Sequence, residues 1–432
     1  MLLHCILILH LFLVATMALS NVTRVPVRRN ADYKANGTKS LVWLYNKYNI
    51  TPARPGRYHR DEKNRLMKRQ DDGSSTEVTA QDQQNDVYYT CPVTIGTPGQ
   101  QLEVTFDSGS ADFWVWSSHL PDSTKKSGTA SGAAIYDPSK SSTQKPMAGS
   151  TWQIRYGDGS SASGTVVTDT VKVGDIAIQG QAVEIASRIS VSLTTQTASQ
   201  GILGLAFGNI NTVSPEPVKT PLDNMIAQED IPNDQEVFTC YMGSYKDVKD
   251  PDHGESFFTF GSIDSDVVHA TGGEISYTPV DDRNGFWEFA SESVTINGKK
   301  IPLPGNTAIA DTGTTLMIID DDLVEQIYSG IPGAKYDESQ QGWLIPSTTP
   351  SDKIPNVAFA VGDAEIVIEP EHIAFAPLEN TGMVFGGIQG RGKLPYNIYG
   401  DTFLKCVYAV FDAGKKQFGV VQRVNPTQRI AF

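Results

Sequence analysis

The tetrapeptide Asp107-Ser-Gly-Ser110 recurs later in this sequence as Asp311-Thr-Gly-Thr314. An apolar run precedes each copy, and two apolar residues and a glycine follow each at a similar distance. The preceding runs are Val104–Phe106 and Thr307–Ala310, and the following triplets are Ile202-Leu203-Gly204 and Ile398-Tyr399-Gly400. One copy alone is typical of an Asp-Gly turn after a strand. The matched pair predicts two lobes built on the same plan.

The sequence from Asp86 onward alternates short β-prone runs with turn residues. β-Branched and aromatic residues are concentrated in these runs, and Gly, Pro, Asp and Ser separate them. Examples of the runs are 88–95, 102–106, 165–173 and 182–186. Helical patterns are few and short, such as Thr220–Gln228 and Asp321–Ser329. We therefore predict a mostly-β protein of sandwich or barrel type.

The 432-residue chain has 39% hydrophobic and 19% charged residues, which is typical of a globular protein. Its net charge of −14 combines two opposite segments. Residues 21–69 hold 13 Lys/Arg and 3 Asp/Glu, whereas the chain from Gln70 onward holds the remaining 22 basic and 46 acidic residues. A body of charge −24 repels nucleic acid and anionic membranes at neutral pH, so the charge argues against both as partners.

The N-terminal segments carry processing signals. Residues 1–20 hold an apolar run followed by small residues, and the run is shorter than the ~20 residues that cross a bilayer. We predict a signal peptide, and hence a secreted product with no stable membrane association. The dibasic pair Lys68-Arg69 lies where the charge balance changes sign, in a polar stretch suited to cleavage. It predicts a basic propeptide over 21–69 and a flexible mature N-terminus over 70–85.

The rest of the chain divides into two lobes in this interpretation. The N-terminal lobe covers 86–243, a polar connection covers 244–254, and the C-terminal lobe covers 255–432.

Three cysteines remain once Cys5 leaves with the signal peptide: Cys91, Cys240 and Cys406. At most one internal disulfide can form among them, and the sequence is compatible both with one bridge and with buried free thiols.

The histidines at 253, 269 and 372 are isolated and lack the spacing of metal ligands. We expect no metal and no cofactor.

The paired loops, with the surroundings they share, resemble the pepsin family of aspartic endopeptidases, in particular its fungal secreted branch. The resemblance covers 86–432 and, more weakly, the propeptide. It implies a bilobal pepsin-like fold, in which the active-site cleft lies between two similar β lobes that share an interlobe sheet. It also implies a monomeric acid endopeptidase that cuts peptide or protein substrates between bulky apolar residues. Finally, it implies that the three cysteines lie on strands of the interlobe sheet.

The residue types fit this chemistry. Two carboxyl groups brought close together cannot both ionise, so Asp107 and Asp311 would share one proton. The ionised member takes a proton from water while the protonated member polarises the peptide carbonyl. Gly109 and Gly313 let the two loops approach closely.

Further roles follow from the resemblance alone. Ser108 and Thr312 would hydrogen-bond to the opposite loop, although the family more often has Thr at the position of Ser108. Ser110 and Thr314 would hydrogen-bond to the carboxylates.

The stretch Tyr156-Gly157-Asp158 would by itself predict a hairpin tip. Under the resemblance it matches the flap that closes over the substrate, and Trp114 matches the tryptophan that holds the flap tyrosine's hydroxyl.

The segment Tyr45–Arg54 resembles the zymogen segment in which a lysine neutralises the catalytic pair. Lys47 is the candidate, but Arg57-Tyr58 has a similar context and both remain open.

The competing hypothesis for the whole chain is a catalytically silent pepsin-like binding protein. Such a protein would normally have a broken pair of aspartates, a changed loop glycine or no flap tyrosine, and all are intact here. A glycosidase also uses two carboxylates, but these need not lie in paired glycine-containing loops.

Overall fold

The computed structural model describes residues 22–29, 35–54, 89–130, 132–155, 161–190, 199–243 and 256–423. Several predicted segments lie outside these ranges and stay predictions. They are the signal peptide 1–20, the pair Lys68-Arg69, the stretch 70–85, the flap residues Tyr156, Gly157 and Asp158, and the connection 244–254.

β-Strands make up most of the regular structure, as the sequence predicted. Up to residue 243 the strands are β1 Val25–Pro26, β2 Arg28–Arg29, β3 Tyr89–Ile95, β4 Gln100–Asp107, β5 Phe113–Trp116, β6 Lys145–Arg155, β7 Ser161–Val173, β8 Ile176–Ile189, β9 Gly201–Gly204 and β10 Val237–Tyr241. From residue 256 they are β11 Phe257–Phe260, β12 Ser276–Asp281, β13 Glu288–Ala290, β14 Ser293–Ile296, β15 Lys299–Pro302, β16 Thr307–Ala310, β17 Met317–Ile319, β18 Lys335–Asp337, β19 Gly342–Pro346, β20 Val357–Val361, β21 Ala364–Ile368, β22 Ala374–Leu378, β23 Met383–Gly386, β24 Ile388–Gly390, β25 Asn397–Tyr399, β26 Val407–Asp412 and β27 Gln417–Gln422.

The helices are short and lie between strands. They are α1 Gly37–Lys47, α2 Asp122–Ala130, α3 Pro221–Ala227, α4 Ser265–Thr271, α5 Asp321–Ser329, α6 Pro370–Ile373 and α7 Asp401–Leu404. α3 and α5 fall where the sequence predicted helices, and α5 has the predicted bounds. Among the described residues, no helix is long and apolar enough to cross a bilayer.

The two tetrapeptide loops occupy equivalent places in a repeated strand arrangement. In the N-terminal lobe, β4 runs parallel to β9, β5 is antiparallel to β9, and β5 is parallel to β8. In the C-terminal lobe, β16 runs parallel to β25, β17 is antiparallel to β25, and β17 is parallel to β24. Each apolar-apolar-glycine triplet therefore lies beside the strand that leads to an aspartate. The internal repeat in the sequence is a repeat in the fold.

A sheet shared by both lobes joins them. The N-terminal lobe has an eight-stranded sheet in the order β2-β3-β4-β9-β5-β8-β7-β6. An eleven-stranded sheet has the order β1-β11-β10-β26-β27-β12-β13-β16-β25-β17-β24, so β10 of the first lobe lies between strands of the second. Two four-stranded sheets, β15-β14-β20-β21 and β18-β19-β23-β22, complete the C-terminal lobe. The fold is the mostly-β, two-lobed architecture that the sequence predicted.

Aromatic side chains fill the junction between the lobes. The ring of Phe106, next to the first aspartate, lies 5.2 Å from that of Phe258. Trp287 is buried and donates its indole N–H to the carbonyl oxygen of Leu205 at 2.9 Å. These contacts hold the aspartate-bearing strands of both lobes in one continuous core.

All three cysteines are buried free thiols. Cys240 lies on β10 of the shared sheet, as the resemblance implied. For the other two that expectation is wrong, because Cys91 lies on β3 of the eight-stranded sheet and Cys406 lies in the turn before β26.

Substitution of Gly400 tests the close approach of the repeated motif to its aspartate loop. A Cβ at this position would lie 2.2 Å from the carbonyl oxygen of Thr314 and 2.5 Å from that of Leu316. Because these atoms belong to the backbone, we expect Gly400→Ala to lower the free energy of unfolding by about 1–3 kcal/mol in urea denaturation. The control is Gly330→Ala, whose Cβ would meet its neighbours at an ordinary 3.4 Å. A Gly400→Ala protein as stable as the control would contradict this packing.

Candidate active site

The two aspartates are buried at the ends of equivalent strands. Asp107 ends β4 and Asp311 follows β16, and their exposed fractions are 3% and 0%. The backbone N–H of Gly109 donates to Asp107 Oδ1 at 2.9 Å, and that of Gly313 donates to Asp311 Oδ1 at 2.9 Å. A Cβ at Gly109 would lie 2.5 Å from Asp311 Oδ1, and one at Gly313 would lie 2.3 Å from Asp107 Oδ1. Only glycine fits at either position, because each loop touches the other loop's carboxylate.

A hydroxyl group contacts the second oxygen of each carboxylate. Ser110 Oγ donates to Asp107 Oδ2 at 2.6 Å. Thr314 Oγ1 donates in a short hydrogen bond to Asp311 Oδ2. Such donors favour the ionised form of a carboxyl group.

Four hydrogen bonds tie the loops to each other across the lobe junction. The N–H of Ser108 donates to Thr312 Oγ1 at 3.0 Å, and the N–H of Thr312 donates to Ser108 Oγ at 2.9 Å. Ser108 Oγ donates onward to the carbonyl oxygen of Ala310 at 2.8 Å, and Thr312 Oγ1 donates to that of Phe106 at 2.8 Å. Each hydroxyl is thus both acceptor and donor, and the separation of the loops is fixed.

The N-terminal arm, residues 22–29 and 35–54, lies across both lobes. β1 pairs with β11 in the shared sheet, and β2 pairs with β3 in the N-terminal lobe. Ion pairs near its two ends also hold the arm, namely Arg24 with Asp264 at 2.8 Å, Arg28 with Glu103 at 2.6 Å and Arg54 with Glu325 at 3.3 Å. Exposed pairs such as the last two each contribute only about 0–1 kcal/mol, so strand pairing and burial hold most of the arm.

Helix α1 brings the end of the arm to the aspartates. Asn36 caps the helix by accepting from the N–H of Lys39 at 3.0 Å. Leu41 and Leu44 are buried in a cluster with C-terminal-lobe residues such as Phe385. This helix was not predicted from the sequence, although the Asn cap and the leucines three residues apart were a usable signal.

The ammonium of Lys47, in the last turn of α1, contacts both aspartates. Its Nζ lies 2.9 Å from Asp107 Oδ1, 2.9 Å from Asp311 Oδ2 and 3.1 Å from Asp311 Oδ1. One nitrogen can do this only if the two carboxylates converge. The sequence-based alternative, Arg57-Tyr58, lies outside the described residues.

Tyr48 is a contact that the sequence analysis did not assign. Its hydroxyl donates to Asp311 Oδ2 at 2.7 Å, and its ring centroid lies 5.8 Å from that of Phe286. Its position directly after Lys47 was the only available signal.

The charges of this site depend on one another. Burial lowers the pKa of Lys47, but the two aspartates outweigh this effect and hold it above its ordinary value. Burial raises the pKa of Asp311, yet Lys47 and hydrogen bonds from Thr314 and Tyr48 hold it below its ordinary value. For Asp107 burial dominates and, together with the charge of Asp311, keeps the pKa raised although Lys47 lowers it. Of the two aspartates, Asp311 is therefore the more readily ionised.

Trp114, expected to hold the flap tyrosine, lies on β5 with its ring stacked on Trp152 at 5.8 Å. Its indole N–H has no hydrogen-bond acceptor among the described residues. The expected partner, Tyr156, lies outside them, so the role of Trp114 stays a prediction.

His372 is not isolated, which corrects the sequence-based interpretation. Its Nε2 lies 3.6 Å from Glu369 Oε2 and 3.7 Å from Glu371 Oε1, at the start of α6. Both neighbours are glutamates that lie three and one residues before His372 in the sequence.

Two buried aspartates at matching positions of two similar β lobes define an aspartic-type endopeptidase. Comparison with known sequences agrees: the profile of the family described as eukaryotic aspartyl protease matches residues 88–423. The chain belongs to the eukaryotic aspartyl protease family. It is a pepsin-like aspartic endopeptidase, a hydrolase that acts on peptides.

Named relatives come from fungi. The chain is 40% identical to endothiapepsin of Cryphonectria parasitica over 386 residues, which cover 89% of this chain and 86% of that protein. It is 40% identical to aspergillopepsin-1 of Aspergillus flavus over 351 residues, or 80% of this chain and 79% of that protein. It is 41% identical to aspergillopepsin-1 of Aspergillus oryzae over 342 residues, which cover 79% of this chain and 80% of that protein.

Removal of the Ser108 hydroxyl tests the frame around the aspartates. Ser108→Ala leaves the buried N–H of Thr312 and the carbonyl oxygen of Ala310 without a partner. We expect a loss of about 1–3 kcal/mol in unfolding free energy and a fall in kcat larger than the change in KM. Ser142→Ala is the matched control, since it removes an exposed hydroxyl bonded to the carbonyl oxygen of Thr97. Equal kcat and stability in the two variants would show that the cross-loop bonds are dispensable.

Proposed function

We propose that Asp107 and Asp311 are the catalytic pair of a secreted acid endopeptidase made as a latent precursor. The observation that carries the proposal is the position of Lys47 Nζ, 2.9 Å from both Asp107 Oδ1 and Asp311 Oδ2. Two buried carboxyl groups that a single ammonium reaches are close enough to share one proton once that ammonium leaves.

The pair then works by general acid–base catalysis. The ionised aspartate takes a proton from a water molecule as the water attacks the peptide carbonyl, and the protonated aspartate polarises that carbonyl. Gly109 and Gly313 donate N–H groups to the carboxylates, while Ser110 and Thr314 orient the other oxygens. The carboxyl groups then need no large rearrangement between proton transfers. The groups that exchange protons in this mechanism are the two aspartate side chains.

Substrate contacts complete the proposal. Tyr156, Gly157 and Asp158 form a flap that closes over an extended peptide, and Trp114 steadies the flap tyrosine. The buried indole N–H of Trp114, which has no acceptor among the described residues, supports this role. Bulky apolar residues flank the bond that is cut.

The N-terminal arm keeps the precursor latent because Lys47 and Tyr48 occupy the place of substrate and water. Lys47 lowers the pKa of both aspartates relative to an empty site, so the arm binds most tightly when both are ionised. This contribution is present at neutral pH and is lost as the pH falls and the carboxylates take up protons. Acid thus releases the arm.

Signals in the sequence indicate how the precursor is secreted and processed. Residues 1–20 direct secretion, and cleavage after Lys68-Arg69 removes the propeptide 21–69. The product is a monomeric, extracellular enzyme of two lobes, 86–243 and 255–432, joined by 244–254.

The direct test of activity is digestion of denatured globin by the purified protein at pH 3–5, with and without a statine-type inhibitor. Cleavage that the inhibitor abolishes is the expected result. Absence of cleavage at every acid pH would instead favour a silent pepsin-like binding protein.

Amide substitution tests the catalytic pair. Asp107→Asn and Asp311→Asn keep the side-chain shape but can neither accept the water's proton nor share one, so we expect a loss of at least about 10²–10⁴-fold in kcat. The wild-type rate should be bell-shaped in pH, and both limbs belong to the pair. Asp363→Asn, at an exposed turn, is the control and should keep full activity. Near-wild-type cleavage by either active-site variant, with native circular dichroism, would refute the mechanism.

Removal of the Lys47 ammonium tests latency. In a chain whose Lys68 and Arg69 are replaced by Gln, Lys47→Met should shift the midpoint pH of activation upward, because the arm loses its charge contacts with both aspartates. Conversion is followed by gel electrophoresis and peptide cleavage from pH 3 to 7. Lys39→Met, on the same helix but away from the aspartates, should activate at the pH of the unsubstituted arm. An unchanged midpoint for Lys47→Met would exclude Lys47 as the latch.

A further inference from the structure

A second pair of buried carboxyl groups lies in the N-terminal lobe, outside the catalytic pair. Asp112 directly precedes β5, and Glu184 lies on β8 opposite Trp114. Their exposed fractions are 3% and 1%. The side-chain amide of Asn211 lies within hydrogen-bonding distance of both carboxyl groups. The catalytic mechanism uses neither.

One amide and one threonine organise the pair. The side-chain amide of Asn211 donates to Asp112 Oδ1 at 3.2 Å and to Glu184 Oε1 at 2.9 Å. Thr212 donates its N–H at 2.8 Å and its hydroxyl at 2.9 Å to Asp112 Oδ1. Asp112 therefore receives the donors that stabilise an ionised carboxylate, and Glu184 receives fewer.

The other oxygen of Glu184, Oε2, is fully buried and has no hydrogen-bond partner among the described residues. A buried carboxylate oxygen without a donor is costly, as is a second negative charge beside it. A proton on Glu184 removes both costs, because the carboxyl then becomes a donor towards Asp112.

Among the residues that the structure describes, no positive charge neutralises the pair. The other charged groups on the elements around it are Glu103 and Asp107 on β4, Lys145 and Arg155 on β6, Asp169 and Lys172 on β7, Arg188 on β8, Glu216 and Lys219 after β9, and Asp223 on α3. None of these groups forms an ion pair with Asp112 or Glu184 in the described part of the chain. Burial raises the pKa of Glu184 well above its ordinary value, and the neighbouring Asp112 raises it further. Burial also raises the pKa of Asp112, although Thr212 opposes the shift.

The pair is connected to the loop that holds the first catalytic aspartate. The amide of Asn211 also donates to the carbonyl oxygen of Ala111 at 3.2 Å. The N–H of Gly204 donates to the carbonyl oxygen of Asp112 at 3.0 Å, and the N–H of Ala206 donates to that of Ser110 at 2.9 Å. These hydrogen bonds place the pair only a few bonds from the residues that follow the Asp107 loop.

We propose that Asp112 and Glu184 share one proton, carried by Glu184, and that loss of this proton sets the upper pH limit at which the N-terminal lobe stays folded. Above that limit two carboxylates face each other without a cation, and the contacts through Asn211 that brace the Asp107 loop are lost. The shared proton controls folding, so this proposal does not depend on the catalytic role of Asp107 and Asp311.

The sign of the pH dependence follows from linkage. A carboxyl whose pKa is raised in the folded state stabilises the fold fully below its unfolded value of about 4. This stability is lost as the pH rises towards the folded value. Each unit of difference between the two pKa values corresponds to about a tenfold change in the unfolding equilibrium constant.

The test uses full-length protein with Glu184→Gln, whose amide donates permanently to Asp112 without titrating. All variants carry Asp311→Asn to prevent self-cleavage, and urea unfolding is measured at pH 4.5, 5.5, 6.5 and 7.5. We expect the loss of stability of the parent between pH 4.5 and 7.5 to be smaller in Glu184→Gln, by at least about tenfold in the unfolding constant. Asp112→Asn, which also supplies an amide donor, should act in the same direction.

Glu216→Gln is the matched control, because it makes the same chemical change at an exposed position of the same lobe. It should follow the pH dependence of the parent. Asp401→Asn tests whether a different carboxyl group causes the pH dependence of stability, since burial raises the pKa of Asp401 in the C-terminal lobe to about 7. A Glu184→Gln profile that coincides with the parent and Glu216→Gln would overturn the proposal, as would a flattened profile in Asp401→Asn alone. Failure of both amide variants to fold, when Glu216→Gln folds, would also overturn it.

Discussion

The burial of two carboxyl groups side by side is the constraint on which the rest of this structure depends. Buried like charges repel, so the site must supply donors, share a proton or admit a cation. The fold meets this demand with two glycines that let each loop touch the other's carboxylate and with hydroxyls on the outer oxygens. The four cross-loop bonds of Ser108 and Thr312 then fix the separation that makes the groups interact.

The N-terminal arm meets the same electrostatic demand in another way. With Lys47 between them both aspartates can be negative, and Tyr48 adds a donor to Asp311. In the proposed mechanism, latency and catalysis compete for one set of oxygen atoms, and protonation decides between them. Residues 21–69 are basic and the remainder is acidic, so the two segments also attract each other generally. This attraction weakens when the acidic groups take up protons.

The proton proposed on Glu184 would give a carboxyl group a structural role in this protein. Asp112 and Glu184 are a second pair of buried acids, inside the N-terminal lobe, and Asn211 donates to both. At acid pH a shared proton can take the place of the lysine or arginine that such a pair needs at neutral pH. Under this proposal the cost is a fold that loses stability as the pH rises, and the proton that opposes this loss lies next to the Asp107 loop.

The sequence by itself determined the features that depend on local residue pattern. The bounds of α5, the positions of β3 and α3, the two equivalent aspartate loops and the mostly-β, two-lobed class all followed from strand-prone runs, turn residues and a repeated motif. Tertiary structure alone decided which distant groups meet. Tyr48 reaches Asp311, and Asn211 reaches both Asp112 and Glu184, only because strand register and packing across the core bring them together. Such contacts leave no local signature, since the energy that selects them comes from burial in the assembled fold and not from neighbours along the chain.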